Sequence, residues 1–441
     1  MHGLEGRNRG TVVAVLGAVI GLLSPALLRA QDQEKPAPPE SIPPEERPVP
    51  PRPQNFNLSY RLNLSYPGHI DRENISSLTM ATSDAIHLAL QDGADDAFYL
   101  RIPKWGAAFA IDTAVRYVSH EYGHLSTFSK AGYHQAIFGN KDKISSTAPK
   151  ASVGKMFLAG FNPFDDSAVS VSQSDWDGIV QDLGNNQVLV SRFTVAIKAG
   201  GLNQEEVNLD RYADRLFDGE LSYLDTLPFI ISGAAVLKYP VGIEMSDVGD
   251  YITELRGLGL RTSAGTLHAL SAATLLSGSS LAAFRGFFIG LTTQAGGMVE
   301  PFKIPVTEHW SVYAPEFDNY LSVFGPTLKS SIPFKLYGVF FQPGYEHLFV
   351  DGASGGEFGM LVRAPIWPFL MVEGSGYRNN DGGNWLESGV RFLPLKWLSL
   401  SVGYAWARGY SFHRDVYGAG NDLIDNGERS ILIGISAFHL F

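Results

Sequence analysis

Apolar and polar side chains alternate at every step from Phe56 to Tyr66, so Phe56, Leu58, Tyr60, Leu62, Leu64 and Tyr66 share one face of an extended strand. The rhythm then changes. From Ser77 to about Gly132 the apolar positions take a helical spacing: Ala85, Leu88 and Leu90 belong to one stretch, and Ala107 to Lys130 to a second that Gly132 closes. Gln204 to Asp218 reads as a charged helix. Two apolar stretches, Thr226 to Ile243 and Thr262 to Leu291, are rich in Ala, Gly, Ser and Thr. Lys238 in the first and His268 and Arg285 in the second favour helices buried in protein over membrane spans.

Past Pro301 short alternating runs are separated by Gly, Asn, Asp and Pro turns, and predict strands near Trp310 and Leu321, then over Phe334 to Phe341, His347 to Val350, Glu357 to Val362, Phe369 to Tyr377, Trp385 to Phe392, Leu398 to Trp406 and Ser430 to Phe441. From Leu398 to Ala407 the large side chains fall on one face, and only Ser, Gly and Ala on the other. Such a strand suits lipid outside and close packing inside.

Composition narrows the class. With 45% hydrophobic and 18% charged residues the chain can bury a sizeable core. A net charge of -11 argues against nucleic acid as a partner, and the lack of cysteine removes disulfides and thiolate metal sites, leaving His, Asp and Glu as metal ligands. Arg7 and Arg9 precede an apolar run from Thr11 to Leu28, and Leu28-Arg29-Ala30 offers a cleavage site; residues 1–30 are therefore expected to be a secretory signal peptide. Nine of the 25 prolines fall between Pro36 and Pro53, which makes 31–55 an extended spacer.

One motif carries chemistry. His120-Glu121-Tyr122-Gly123-His124 fits H-E-x-x-H within the helix expected over Ala107 to Lys130. Four residues make slightly more than one turn, so both imidazoles leave the same face, about 6 Å apart, and can share one Zn2+. Glu121 stands beside them as a general base for a metal-activated water. On these residues the segment resembles the zincin metallopeptidases. The G-x-x-H extension of metzincins is absent after His124. Glu206 and Asp210 resemble the E-x-x-x-D helix of gluzincins, and that resemblance implies Glu206 as third metal ligand with Asp210 behind it; Glu205, Asp210 and His134 compete for the place. Tyr212 and Tyr223 are nearby in sequence, without an assigned part.

Ile431, Ile433, Ile435 and Ala437 alternate up to the final Phe441, an ending that resembles the terminal strand of bacterial outer-membrane β-barrels, although His439 stands where an aromatic is usual. The Gly-rich segments Gly352 to Gly356 and Asp381 to Gly383 read as turns, and Gly418 to Glu428 as a hairpin tip.

The expected architecture is therefore α+β: a strand over 56–66 that can join the barrel, a helical zincin-like unit over 77–297, and an antiparallel β-barrel of about 8 to 12 strands over 305–441. The expected function is zinc-dependent peptide hydrolysis at the bacterial outer membrane, with a peptide or protein substrate and membrane lipid as partners. The alternatives are a barrel with a non-catalytic helical plug or scaffold, and a periplasmic protease with a β-sandwich. The oligomeric state is left open.

Overall fold

The computed structural model describes residues 57–91, 98–134, 137–140, 152–161, 167–238, 246–292, 297–395, 397–419, 423 and 427–438. The expected signal peptide and spacer, most of the Gly418 to Glu428 loop, and the terminal His439 to Phe441 lie outside these residues.

The chain is α+β, helical first and then a sheet. After strand β1 (Asn57–Asn63) come helices α1 (Arg72–Gln91) and α2 (Phe98–Lys130), strand β2 (Ile137–Asn140), α3 (Val153–Ala159), strand β3 (Ser167–Ser170), α4 (Gln173–Asp182), α5 (Gln187–Asp218), α6 (Thr226–Gly233), α7 (Asp247–Gly257), α8 (Ala264–Thr274) and α9 (Gly278–Thr292). The short pair β2 and β3 forms its own two-stranded sheet. Strands β4 (Lys303–Thr307), β5 (Trp310–Tyr313), β6 (Glu316–Ser322), β7 (Gly325–Ser331), β8 (Phe334–Leu336), β9 (Val339–Leu348), β10 (Gly356–Trp367), β11 (Leu370–Asn379), β12 (Asn384–Leu395), β13 (Leu398–Arg408) and β14 (Gly427–Phe438) follow, with α10 (Phe412–Tyr417) between the last two.

Several elements differ from their expected extent for identifiable reasons. The charged helix expected from Gln204 begins at Gln187, where the Asn186 side chain accepts from the Val188 and Leu189 amides, and stops at Gly219, whose φ of 77° suits the left-handed cap. Gly200 and Gly201 hide this continuity, because glycine lowers helix propensity; they are used for close packing. The stretch expected over Thr262 to Leu291 is two helices, α8 and α9, bent by 67°. No single described helix is long and apolar enough to cross a membrane; this bent pair meets the length and composition test.

The sheet has twelve antiparallel strands, at the top of the expected range, in the order β1-β14-β13-β12-β11-β10-β9-β8-β5-β4, with β7 also pairing β9 and β6 pairing β7. No ladder joins β4 to β1 among the described residues, so the strands form an open sheet where a barrel was expected. Helices seal two of its edges. Along the free edge of β1, the Asn74 amide of α1 donates to the Arg61 carbonyl and accepts from the Arg61 N–H, both at 2.6 Å, and Ser77 accepts from the Ser59 N–H at 2.6 Å. Along the free edge of β6, the Asn203 amide of α5 donates to the Leu321 carbonyl at 2.9 Å and accepts from its N–H at 2.8 Å. An amide side chain carries the donor and acceptor of a peptide group, so each asparagine does what a neighbouring strand would do.

The two faces of the sheet separate by chemistry. One row of register partners runs Leu370, Phe392, Leu400, Ile435, Tyr60 and a second runs Val372, Val390, Val402, Ile433, Leu62. Most of these side chains are exposed, Val402 at 61% and Tyr60 at 56%. The opposite face lines a cavity of about 200 Å3 together with Asp210, Arg211 and Asp214 of α5. There Arg363 pairs with Asp214 at 2.6 Å and Arg61 with Glu387 at 2.7 Å. Gln204 to Asp218 is thus charged and yet largely buried, since the sheet supplies a counter-charge to Asp214 and helices α1 and α2 supply those of Arg211, Arg215 and Glu205.

Candidate metal centre

Helices α2 and α5 cross at a contact made possible by three glycines. A Cβ on Gly123 would strike the Gly200 carbonyl, and a Cβ on Gly201 would strike the His120 imidazole. The Gly200-Gly201 pair therefore gives the His120 imidazole its room.

The structure brings His120, Glu121 and His124 together, with one ligand atom from each lying within 4.8 Å of the others, and all three are buried. The His120 and His124 Nε2 atoms are 3.3 Å apart. His124 Nδ1 lies 2.6 Å from the Ile197 carbonyl of α5. A carbonyl only accepts, so Nδ1 carries a proton, and Nε2 is turned toward His120 and Asp247. Glu121 Oε2 accepts from the Val169 N–H of β3 at 2.8 Å, which fixes the carboxylate from the side of the small sheet.

A further carboxylate faces the pair. Asp247 Oδ2 lies 3.0 Å from His120 Nε2 and 3.6 Å from His124 Nε2. It occupies the first position of α7, after the N-cap Ser246, whose Oγ accepts from the Gly249 N–H at 3.1 Å. Burial disfavours the imidazolium of His124, but the Asp247 charge outweighs it and raises the pKa. Burial also works against the Asp247 carboxylate, yet His124 and His120 hold its pKa well below the usual range. Two imidazole nitrogens with converging carboxylate oxygens form a donor set that fits Zn2+. The fit shows in the atoms themselves: acceptors crowd one point, and His120 Nδ1 is buried with no hydrogen-bond partner among the described residues.

Glu206 requires a correction. Its carboxyl accepts from the Asn319 backbone N–H of β6, and burial, then Asp318 and Asp210, push its pKa well above the ordinary value. Adjacent residues on a helix point about 100° apart, so Glu205 faces α2, paired with Arg116, while Glu206 faces the sheet. Glu206 is outside the buried group of His120, Glu121 and His124, and unlike Asp247 it makes no contact with either imidazole among the described hydrogen bonds and ion pairs. Asp210 accepts from the Tyr320 and Tyr417 hydroxyls, on the cavity side of α5. His134 is exposed beside Gly68, and Tyr212 packs at a tilt against Phe229 with ring centroids 5.8 Å apart. Tyr223 packs against Gly286, Gly290 and Gly297. Asp247 escaped the sequence reading; its one local sign is the Ser246-Asp247 helix start, a common capping pattern.

No protein-family model, curated protein or solved structure matches this chain.

Proposed function

We propose that the protein is a zinc-dependent metallopeptidase anchored in the bacterial outer membrane, with the Arg7 to Ala30 segment as its export signal. The observation that carries the hydrolase reading is the convergence of the His120 and His124 Nε2 atoms, 3.3 Å apart, with the Glu121 carboxyl in the same buried group. His120 and His124 would hold the ion. Bound there, Zn2+ would supply Lewis acidity, lowering the pKa of a water toward about 7 and polarising a peptide carbonyl. Glu121 would act as general base, accepting a proton from a water whose oxygen attacks the carbonyl carbon. The same carboxyl would return that proton to the amine nitrogen as the C–N bond breaks, leaving a carboxylic acid and an amine, between which the remaining proton then passes to give carboxylate and ammonium. Val169 holds one Glu121 oxygen, so the carboxylate is oriented before the substrate arrives.

The membrane reading is supported by the two outward apolar rows, which run across five strands where a water-facing sheet would carry polar side chains. The helical unit rests on the end of the sheet that carries the connections containing Asp351 and α10: Lys130 Nζ donates to the Asp415 carbonyl at 2.7 Å, and Arg261 exchanges backbone bonds with Asp351.

Zinc near one per chain in wild type is expected, with Glu121→Gln keeping the metal while peptide hydrolysis falls about 10^2- to 10^4-fold. Zinc-free wild type would remove the reading. For the membrane part, recovery in the outer-membrane fraction is expected; release with the periplasmic contents sinks it. A second reading, a wall with a non-catalytic helical plug, is favoured by the way Asp210, Arg211 and Asp214 of α5 fill the concave side. Under that reading Glu121→Gln changes nothing.

A further inference from the structure

We infer that Asp247 is the third protein ligand of the metal, completing a two-histidine, one-aspartate site. This assignment rests on the metal reading of the same group. Three atoms, His120 Nε2, His124 Nε2 and Asp247 Oδ2, form a triangle with sides of 3.0, 3.3 and 3.6 Å. A tetrahedral ion with bonds of about 2.0 to 2.2 Å requires ligand separations of about 3.3 to 3.6 Å, so the three atoms already outline one face of such a polyhedron. A fourth ligand would be water or substrate, with the Glu121 carboxyl in the same buried group as the two histidines.

Which nitrogen Asp247 meets separates a ligand from a supporting residue. A supporting carboxylate accepts the N–H of a bound histidine on the ring edge away from the ion. For His124 that role is filled by the Ile197 carbonyl at Nδ1, whereas Asp247 approaches both rings on their Nε2 side. The residue is also held in place. Asp250, one turn further along α7, pairs with Lys198 of α5 at 2.7 Å, and Tyr251 and Leu255 pack with Val195, Ala199 and Leu202. The N-terminus of α7 favours a negative side chain at its first position, and these contacts aim Asp247 at the histidine pair.

Zinc content and affinity, measured by metal analysis and chelator competition on the full-length protein, test the assignment. The absorption spectrum of the Co2+-substituted protein gives a readout of geometry independent of activity. Asp247→Ala is expected to weaken zinc by more than the about 10- to 100-fold that loss of a supporting residue costs, and to change the Co2+ spectrum. Asp247→Asn, which keeps the shape of the helix start, should weaken zinc in the same direction, and Glu206→Gln should leave both readouts at wild-type values. Circular dichroism of each variant identifies loss of fold. Full zinc affinity and an unaltered Co2+ spectrum in folded Asp247→Asn would overturn the assignment while leaving the metal reading intact. Wild type that takes up no metal overturns both.

Discussion

Two buried aspartates on different helices sit in opposite surroundings. Asp84 of α1 meets Arg215 of α5 through two parallel bonds of 2.8 Å, a permanent cation in a fixed fork. Asp247 of α7 meets two imidazoles, groups whose charge is conditional and whose lone pairs can serve a metal. Where the chain supplies its own fixed cation, the pair holds helices together. Where it supplies imidazoles instead, the positive charge comes from a proton or, on the proposed reading, from a bound ion.

The largest separation between these regions is expected from Arg215→Ala. It strands Asp84 in the interior and should cost about 3 to 5 kcal/mol in denaturant unfolding, with zinc stoichiometry unchanged in the protein that remains folded. Loss of zinc in folded Arg215→Ala would erase the distinction. Gly201→Ala probes the other side: a methyl group against the His120 ring should cost about 1 to 3 kcal/mol through overpacking and lower zinc affinity together. A variant with normal affinity would mean that the crossing of α2 and α5 does not set the ligand position.

The contrast is sharpened by pH. His87 of α1 lies between Asp112 at 3.0 Å and Asp225 at 3.2 Å. Burial disfavours its imidazolium, but hydrogen bonds to the two carboxylates prevail and raise the pKa from 6.5 to about 10. The folded state binds this proton more tightly than the unfolded chain, so its stabilisation is complete below pH 6.5 and is lost as pH rises toward 10. The stability gap between wild type and His87→Gln should therefore narrow across that range; a constant gap would show that the ring is not charged. The smallest effect is expected from Glu206→Gln. A carboxyl kept neutral by burial is matched in shape by the amide, so melting temperature and zinc content should both stay near wild type.

Legibility in the sequence followed the range of the interaction. His120, Glu121 and His124 were readable because four residues on one helix fix their face. The strands from Leu370 to Phe438 were readable because alternation repeats within each strand. Glu206 was misplaced because an acidic pair at helical spacing is present whichever way the helix is turned, and rotation about the axis of α5 is set by packing against α2 and β6. Asp247 is 127 residues from His120, and only the folded chain brings them together. Sealing of the sheet was hidden for the same reason: Asn74 and Asn203 look like ordinary polar residues on helices until the strands they complete are in place.

Those two asparagines tie the helical segment to the sheet. β1 precedes every described helix and its ladder partner β14 follows every other described strand, so the rim of β1 has neighbours on both sides only when both ends of the described chain are in place. Strands stripped of the helical segment would present bare N–H and C=O groups along β1 and β6, a template for stray strand pairing. Helices and sheet are on this geometry one folding unit, and neither half keeps its edges covered when cut from the other.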